Sequence, residues 1–382
     1  MSYKVRFVKA DEHYSRLKSE IDNVLFSCLS KGDLINRHQL KDFEESLAVF
    51  VGTKYAIGVN SGYHALALSL LAAGVGHGHE VITVAHTFVA TVSAIVHCGA
   101  TPVLIDVRTD HNMDPDLIEA AITPRTKAII PVHLNGRICE MDRIQQIADK
   151  YKLLIIEDAA QGLGATFKGQ GGGSFGIAGC FSFYPFKMLG CFGDGGAVTT
   201  NDPAIARAIV RMRYNGEDRQ TGEYHYHGFT ALLDNVQAAV LNVKLPHLPS
   251  WIEHRRRMAE LYQKSLEHIQ KIVLPNFGGK EYYESFQNYV IRTPKRDELR
   301  LFLKERGIET LVSWPKPMWH HLALRLGDYT LPETEAICRE VLSLPMNSEI
   351  TPEEVKITAD AICEFFGTYQ TREEETLNAV SA

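Results

Sequence analysis

The sequence predicts an α/β protein: a large, mainly parallel sheet covered by helices, followed by a smaller α+β domain. Three observations predict it. Between residues 55 and 157, short apolar runs alternate with amphipathic stretches of helical length, the texture of βαβ units. Runs such as Leu153–Ile156 are continuously apolar, as a strand buried on both faces requires. Beyond residue 275 the alternation stops and isolated strand-like and helix-like stretches replace it.

Taken in order, residues 12–50 read as two amphipathic helices with a loop near Lys31–Arg37. Strands are expected at Tyr55–Val59, Glu80–Val84, Thr101–Asp106, Ala128–Val132 and Leu153–Glu157. Helices are expected between them at Tyr63–Ala73, Val89–His97, Pro115–Ala121 and Met141–Lys150. Residues 202–213 and 233–270 read as helical, with Pro246 and Pro249 marking a break. A strand at Tyr289–Arg292 and helices at Arg296–Arg306 and Val355–Phe366 complete the pattern. The expected domains are 12–250, a large α/β unit, and 251–370, a small α+β unit. The tail 371–382, TREEETLNAVSA, has little to pack and is expected to be disordered.

Composition narrows the class. The 382 residues are 45% hydrophobic and 23% charged, ordinary for a globular protein with a sizeable core. A net charge of −6 gives no basic footprint for nucleic acid or an anionic membrane surface. The seven cysteines form no CxxC pair, which points to reduced thiols in a cytoplasmic setting and to no metal site. The opening MSYKVRFVKADEHY lacks the apolar run of a signal peptide, and no stretch has the length of a membrane span.

The chemistry centres on Cys180–Thr200, CFSFYPFKMLGCFGDGGAVTT. One lysine, Lys187, stands between two strand-like runs and is followed by Gly190, Gly193, Gly195 and Gly196. A lysine in such a place can be desolvated, which lowers its pKa and makes its amine a nucleophile toward carbonyl carbon. Upstream, Leu153–Ile156 ends in Glu157-Asp158, and a carboxylate at the end of a buried strand needs a cationic partner. An Asp at a strand end is otherwise an ordinary helix cap. Asn60-Ser61-Gly62 leads into a helix whose free amides form an anion cup or, more plainly, a cap. Phe88, after the second strand, reads as core or as a stacking platform. A lysine, a carboxylate, an anion cup and an aromatic together fit pyridoxal 5'-phosphate, whose aldehyde, ring nitrogen, phosphate and ring face they match.

These motifs resemble the DegT/DnrJ/EryC1/StrS family of sugar aminotransferases, which has the fold-type-I architecture. The likeness covers residues 15 to 365. It includes the NSG turn at 60–62, HTFVAT at 86–91, EDAAQGLGA at 157–165, SFYPFKMLGCFGDGGAVTTND at 182–202, LDNVQAAVL at 233–241 and SLPMN at 343–347. It implies that Lys187 links covalently to the cofactor, that Asp158 meets the pyridinium nitrogen and that Gln161 lies near the ring hydroxyl. It further implies that Phe88 stacks on the ring and that Ser182 and the Gly62 and Tyr63 amides hold the phosphate.

The resemblance also implies a nucleotide-linked ketosugar as acceptor, an amino acid, commonly glutamate, as donor, and a homodimer with shared active sites. A sugar dehydratase with histidine at the lysine position, and a ligand-binding regulator without catalysis, are the alternatives. Lys187, Asp158 and Gln161 favour the transaminase. Departures fall on the acceptor side: Tyr63 stands for threonine, Thr230 for asparagine, Leu232 for arginine, and Ser313 and Trp319 for histidines. The GCFGDGG form leans toward amination at C3 of the sugar over C4. Leu232 and Trp319 suggest an acceptor pocket drier than usual, suited to a deoxygenated sugar.

Overall fold

A computed structural model describes residues 3–277 and 279–368. The tail 371–382, for which disorder was expected, lies outside the described residues. Two amphipathic helices open the chain, α1 (Ala10–Lys31) and α2 (His38–Val51), at the expected places. The alternation follows: β1 (Tyr55–Val59), α3 (Gly62–Ala72), β2 (Glu80–Val84), α4 (Val89–His97), β3 (Thr101–Ile105), α5 (Ile118–Ala121), β4 (Thr126–Ile130), α6 (Met141–Tyr151) and β5 (Leu154–Asp158). Two-residue strands β6 (Thr166–Phe167) and β7 (Gln170–Gly171) form a small hairpin before β8 (Ala178–Ser182) and β9 (Gly196–Thr200).

After β9 come α7 (Pro203–Met212), the paired β10 (Glu217–Asp218) and β11 (Glu223–Tyr224), α8 (Asn235–Lys244) and α9 (Leu248–Leu266). Pro246 and Pro249 sit in the first turns of a short 3-10 segment and of α9, where a missing N–H costs no helical bond. The last part holds β12 (Tyr282–Tyr283), β13 (Tyr289–Arg292), α10 (Arg296–Glu305), α11 (Pro332–Glu340), β14 (Val341–Leu344) and α12 (Pro352–Phe366). Helix α12 begins with a full capping box, Thr351 with Glu354, and with Pro352 in its first turn.

The main sheet has seven strands in the order β1-β9-β8-β5-β4-β2-β3. Strands β2 to β5 and β8 run parallel, whereas β9 runs antiparallel to both β1 and β8. The sheet is therefore mainly parallel, as expected, with one reversed strand that the sequence did not reveal. That reversal joins β8 to β9 by a loop instead of a crossover helix, and Lys187 stands on this loop.

Apolar side chains from α3, α4 and α7 cover one part of the sheet, including Leu66, Leu68, Ala94, Ile95 and Ile209. On another, α1, α2, α8 and the start of α9 pack with Phe181 and Phe183. A separate cluster joins Met258, Tyr262 and Leu266 of α9 to β13, β14, α10 and α12, and Val5 belongs to it. The change of partner falls within α9, between Ile252 and Met258.

Candidate active site

The parallel strands deliver their carboxyl ends to one edge of the sheet, where ligands of α/β proteins bind. Asp158 is the last residue of β5 and pairs in register with Cys180 of β8. It is 6% exposed, so both carboxylate oxygens need donors. Thr91 Oγ1 supplies one at 2.7 Å and the Ala160 amide the other at 3.2 Å. Glu157, beside it, points to the opposite face. Its carboxylate accepts from the amides of Gly173, Phe175 and Gly176 and from His133, and so ties down the stretch before β8. His133 Nδ1 accepts the Cys139 amide, so the ring proton sits on Nε2, facing Glu157. One acid of the Glu157-Asp158 pair is structural and the other faces the site.

Lys187 lies four residues after Phe183, in the loop between β8 and β9, and is partly buried. Its amide bonds to Tyr184 O at 2.8 Å, and Cys191 N returns to Phe183 O at 2.9 Å, closing the loop. Burial pushes the Lys187 ammonium below its usual pKa, and the charge of Asp158 offsets part of that shift. The amine makes no hydrogen bond or ion pair among the described residues. Beneath the loop, buried Lys244 donates to Gly190 O at 2.6 Å and lies 4.7 Å from the Phe192 ring centroid.

The anion cup is assembled from three elements. Ser61 caps α3 by accepting from the His64 amide at 3.1 Å, and the first intrahelical bond is made by Ala65 N to Ser61 O. The Gly62 and Tyr63 amides precede that bond and remain available to an anion. Ser182, at the end of β8, faces Gly62 so closely that a Cβ on Gly62 would come 2.8 Å from its Cβ. A Cβ on Gly196, the first residue of β9, would lie 2.5 Å from the Ser61 carbonyl. Glycine is required at both positions for the cup to close. The Tyr63 hydroxyl is engaged elsewhere, with His97 Nδ1 at 2.7 Å, so the backbone amide is what Tyr63 offers.

Phe88 is the N-cap residue of α4 and is 60% exposed, so it is a surface ring and not core. Gln161 Oε1 accepts from the Asn135 amide at 2.8 Å and from Asn288 Nδ2 at 3.3 Å. These residues, a partly desolvated lysine, a carboxylate, a cradle closed by glycines and an exposed ring, fit pyridoxal phosphate as the sequence suggested. Among the described residues no cluster of His, Cys, Asp or Glu could hold a metal ion, and no helix is long and apolar enough to cross a membrane. All seven cysteines are free and buried.

The pattern of the DegT/DnrJ/EryC1/StrS aminotransferase family matches residues 15–363. The chain belongs to this family of aminotransferases. It is 41% identical over 95% of its length to the "Pleiotropic regulatory protein" of Geobacillus stearothermophilus, covering 98% of that protein. It is 39% identical to the "dTDP-3-amino-3,4,6-trideoxy-alpha-D-glucose transaminase" of Streptomyces venezuelae, over 95% of this chain and 96% of the relative. The solved structure of S. venezuelae DesV in complex with a ketimine intermediate superposes with a TM-score of 0.92 at 39% identity, over 96% of this chain and 99% of that one. NtdA from Bacillus subtilis with bound cofactor PMP gives a TM-score of 0.89 at 30% identity, over 96% and 86% respectively. The α/β fold is thus the family's own.

One expectation on the acceptor side needs correction. Trp319 is 5% exposed and packs with Met318, Ala85, Val92, Leu104 and Leu331, so it fills core beside β3 and α4. Leu232 packs against the cluster around Phe183 and bridges to Val59. The burial of Trp319 removes its support for a drier acceptor site. Thr230 is exposed and donates to Asn215 Oδ1 at 3.1 Å.

Sequence reasoning missed Thr91, Gln287 and Lys244. Thr87 and Thr91, four residues apart in HTFVAT, were the available signal for the first.

Proposed function

We propose that this aminotransferase moves an amino group from an amino acid, glutamate in the first instance, to a nucleotide-linked 3-keto hexose, with pyridoxal 5'-phosphate as cofactor. The observation that carries the reading is a partly desolvated Lys187, its amine without a hydrogen bond among the described residues, within the electrostatic reach of a buried Asp158 at the carboxyl edge of the sheet. Membership of the aminotransferase family and the bound PMP of NtdA support the cofactor. The 3-amino sugar in the Streptomyces relative's name supports the carbon. In this reading residues 12–250 form the cofactor-binding domain and 251–370 the smaller one, two copies share their active sites, and free thiols suit a cytoplasmic enzyme.

When bound, pyridoxal phosphate supplies an electron sink for the pair released as the donor's Cα–H bond breaks. Lys187 Nζ would hold the cofactor covalently and, as a free amine, would take the donor's Cα proton and return one to the acceptor carbon. Asp158 would hold the pyridine nitrogen's proton through a hydrogen bond. The Gly62 and Tyr63 amides with Ser182 would hold the phosphate, Gln161 would serve the ring hydroxyl and Phe88 would cover a ring face against water. The name of the Geobacillus relative motivates a second reading, a regulator that binds ligand without transamination.

Absorbance spectra with and without glutamate separate the two. The enzyme should convert from the yellow lysine-linked form to the amine form, and Lys187→Ala should lose both the yellow band and turnover. An unchanged spectrum with every amino donor would favour the regulator. Side-by-side assays of 3-keto-6-deoxy and 4-keto-6-deoxy hexose nucleotides test the carbon. The 4-keto isomer displaces the reacting atom by over an ångström, which can cost about a hundredfold. A preference for the 4-keto compound would overturn C3. Sedimentation showing a fully active monomer would overturn the shared site.

A further inference from the structure

One side chain holds the peptides on both sides of Lys187. Gln287 Nε2 donates to Phe186 O at 3.1 Å, and Gln287 Oε1 accepts from Met188 N at 2.7 Å. Gln287 is 7% exposed, so these bonds are shielded from competing water. The fit is chemical as well as geometric. The turn presents one carbonyl and one amide N–H, and a primary amide answers both, whereas an ionised carboxylate has no donor and a hydrocarbon has neither.

The backbone that carries Gln287 is itself fixed. Phe286 takes φ 50°, a left-handed conformation unusual for a bulky residue, which redirects the chain into Gln287. The segment passes so near Gly136 that a Cβ there would sit 2.6 Å from Phe286 N and 2.7 Å from Gln287 N. Buried Arg255 gathers the carbonyls of Phe286, Gln287 and Met346 at 3.1, 3.2 and 3.2 Å through Nη1. The next residue, Asn288, donates to Asn135 Oδ1 at 3.2 Å and to Gln161 Oε1. Two consecutive amide side chains, just before β13, therefore reach the lysine loop and Gln161.

We propose that Gln287 is a positioning residue for Lys187: its side-chain amide immobilises both flanking peptides, so that the lysine side chain alone moves when its amine is released and returns. The proposal rests on the reading of Lys187 as the cofactor lysine. A lysine whose amine is released and must re-form the same bond has to come back to one place, and a fixed backbone shortens that search.

Hydrogen–deuterium exchange of the full-length apoprotein tests this without turnover. In Gln287→Leu the segment 183–192 should exchange about tenfold faster, the effect of losing a hydrogen bond that protects an amide. On the loaded enzyme kcat should fall by about tenfold with KM for the acceptor unchanged, because positioning acts on the transition state and not on uniform binding. Gln287→Glu serves if the leucine variant does not fold. Ionised, it repels Phe186 O; protonated, it regains a donor. The ratio of its exchange rate to wild type should therefore fall toward one as pH is lowered through the carboxyl's titration. Unchanged exchange in Gln287→Leu, or a ratio of one at every pH in Gln287→Glu, overturns the proposal. Turnover surviving in Lys187→Ala would instead fell the reading of the lysine, and the exchange data tell the two failures apart.

Discussion

Thr91 Oγ1 donates a 2.7 Å hydrogen bond to Asp158 Oδ2 across 67 residues of sequence. With its proton committed there, Thr91 must accept at its oxygen, and Thr87 Oγ1, 2.9 Å away, is the donor. A two-hydroxyl chain from the start of α4 thus ends on the carboxylate, and both threonines are buried.

Thr91→Val keeps the shape and removes the donor. A hydrogen bond to a charged group contributes about 1.5–3 kcal/mol, so kcat should drop by roughly ten- to a hundredfold. Thr91→Ser should stay near wild type. Steady-state kinetics of both variants decide it, and a valine variant within twofold of wild type would reduce the chain to packing.

The anion cup makes a separate prediction. Gly196→Ala places a methyl 2.5 Å from the Ser61 carbonyl, a backbone group that cannot swing aside. Overpacking of this kind costs about 1–3 kcal/mol, so affinity for pyridoxal phosphate should fall roughly tenfold or more. Affinity for pyridoxal, which lacks the phosphate, should change little. Equal losses for both compounds would place the damage outside the cup.

Phe88 should matter to the cofactor and hardly to the fold. A ring 60% exposed can be truncated at a cost of about 0.5 kcal/mol or less. Loss of stacking should weaken cofactor binding by about three- to tenfold in Phe88→Ala. Equilibrium dialysis and the apoprotein Tm measure the two effects. The opposite pattern, a lower Tm with intact affinity, would return Phe88 to the core.

Lys244 gives a pH signature. Burial pushes its ammonium down to about 8 from 10.5, with Cys191 opposing. Below pH 8 both folded and unfolded chains hold the proton, and the cost of the buried charge is fully present. Between pH 8 and 10.5 the unfolded chain binds more protons, so stability rises with pH. Relative to Lys244→Met, wild type should gain up to about 3 kcal/mol across that window. Chemical denaturation of both proteins at several pH values provides the comparison, and a constant difference would show that Lys244 does not titrate there.

Much of the fold was legible because strands such as Glu80–Val84 and Tyr289–Arg292 are bounded by sharp changes of polarity, and they occur where expected. Asp158 and Lys187 stood out locally, one as a charge ending an apolar run, the other as a lysine ringed by glycine. The direction of β9 was not legible, since GAVTT suits either sense of pairing. Gln287 left no trace either: a polar residue before a strand says nothing about a loop 99 residues away. Trp319 was misread because its slot in a motif does not say which neighbours enclose it. Neither the helix Pro332–Glu340 nor the four-residue strand Val341–Leu344 after it was expected.

The reversal of β9 has a consequence for how the protein assembles. A hairpin-like connection lets β8, the lysine loop and β9 find one another through short chain closures, at small entropic cost. The Thr91 and Gln287 contacts must wait for segments 67 and 99 residues distant. Local pairing should therefore precede the distant clamps, and the amine should be mobile until the last of them closes. Pulse-labelling during refolding would follow this order: protection in 178–200 first, protection around Met188 from Gln287 last. On that ordering, competence to hold the cofactor is a late event, reached when the segment before β13 has met the lysine loop.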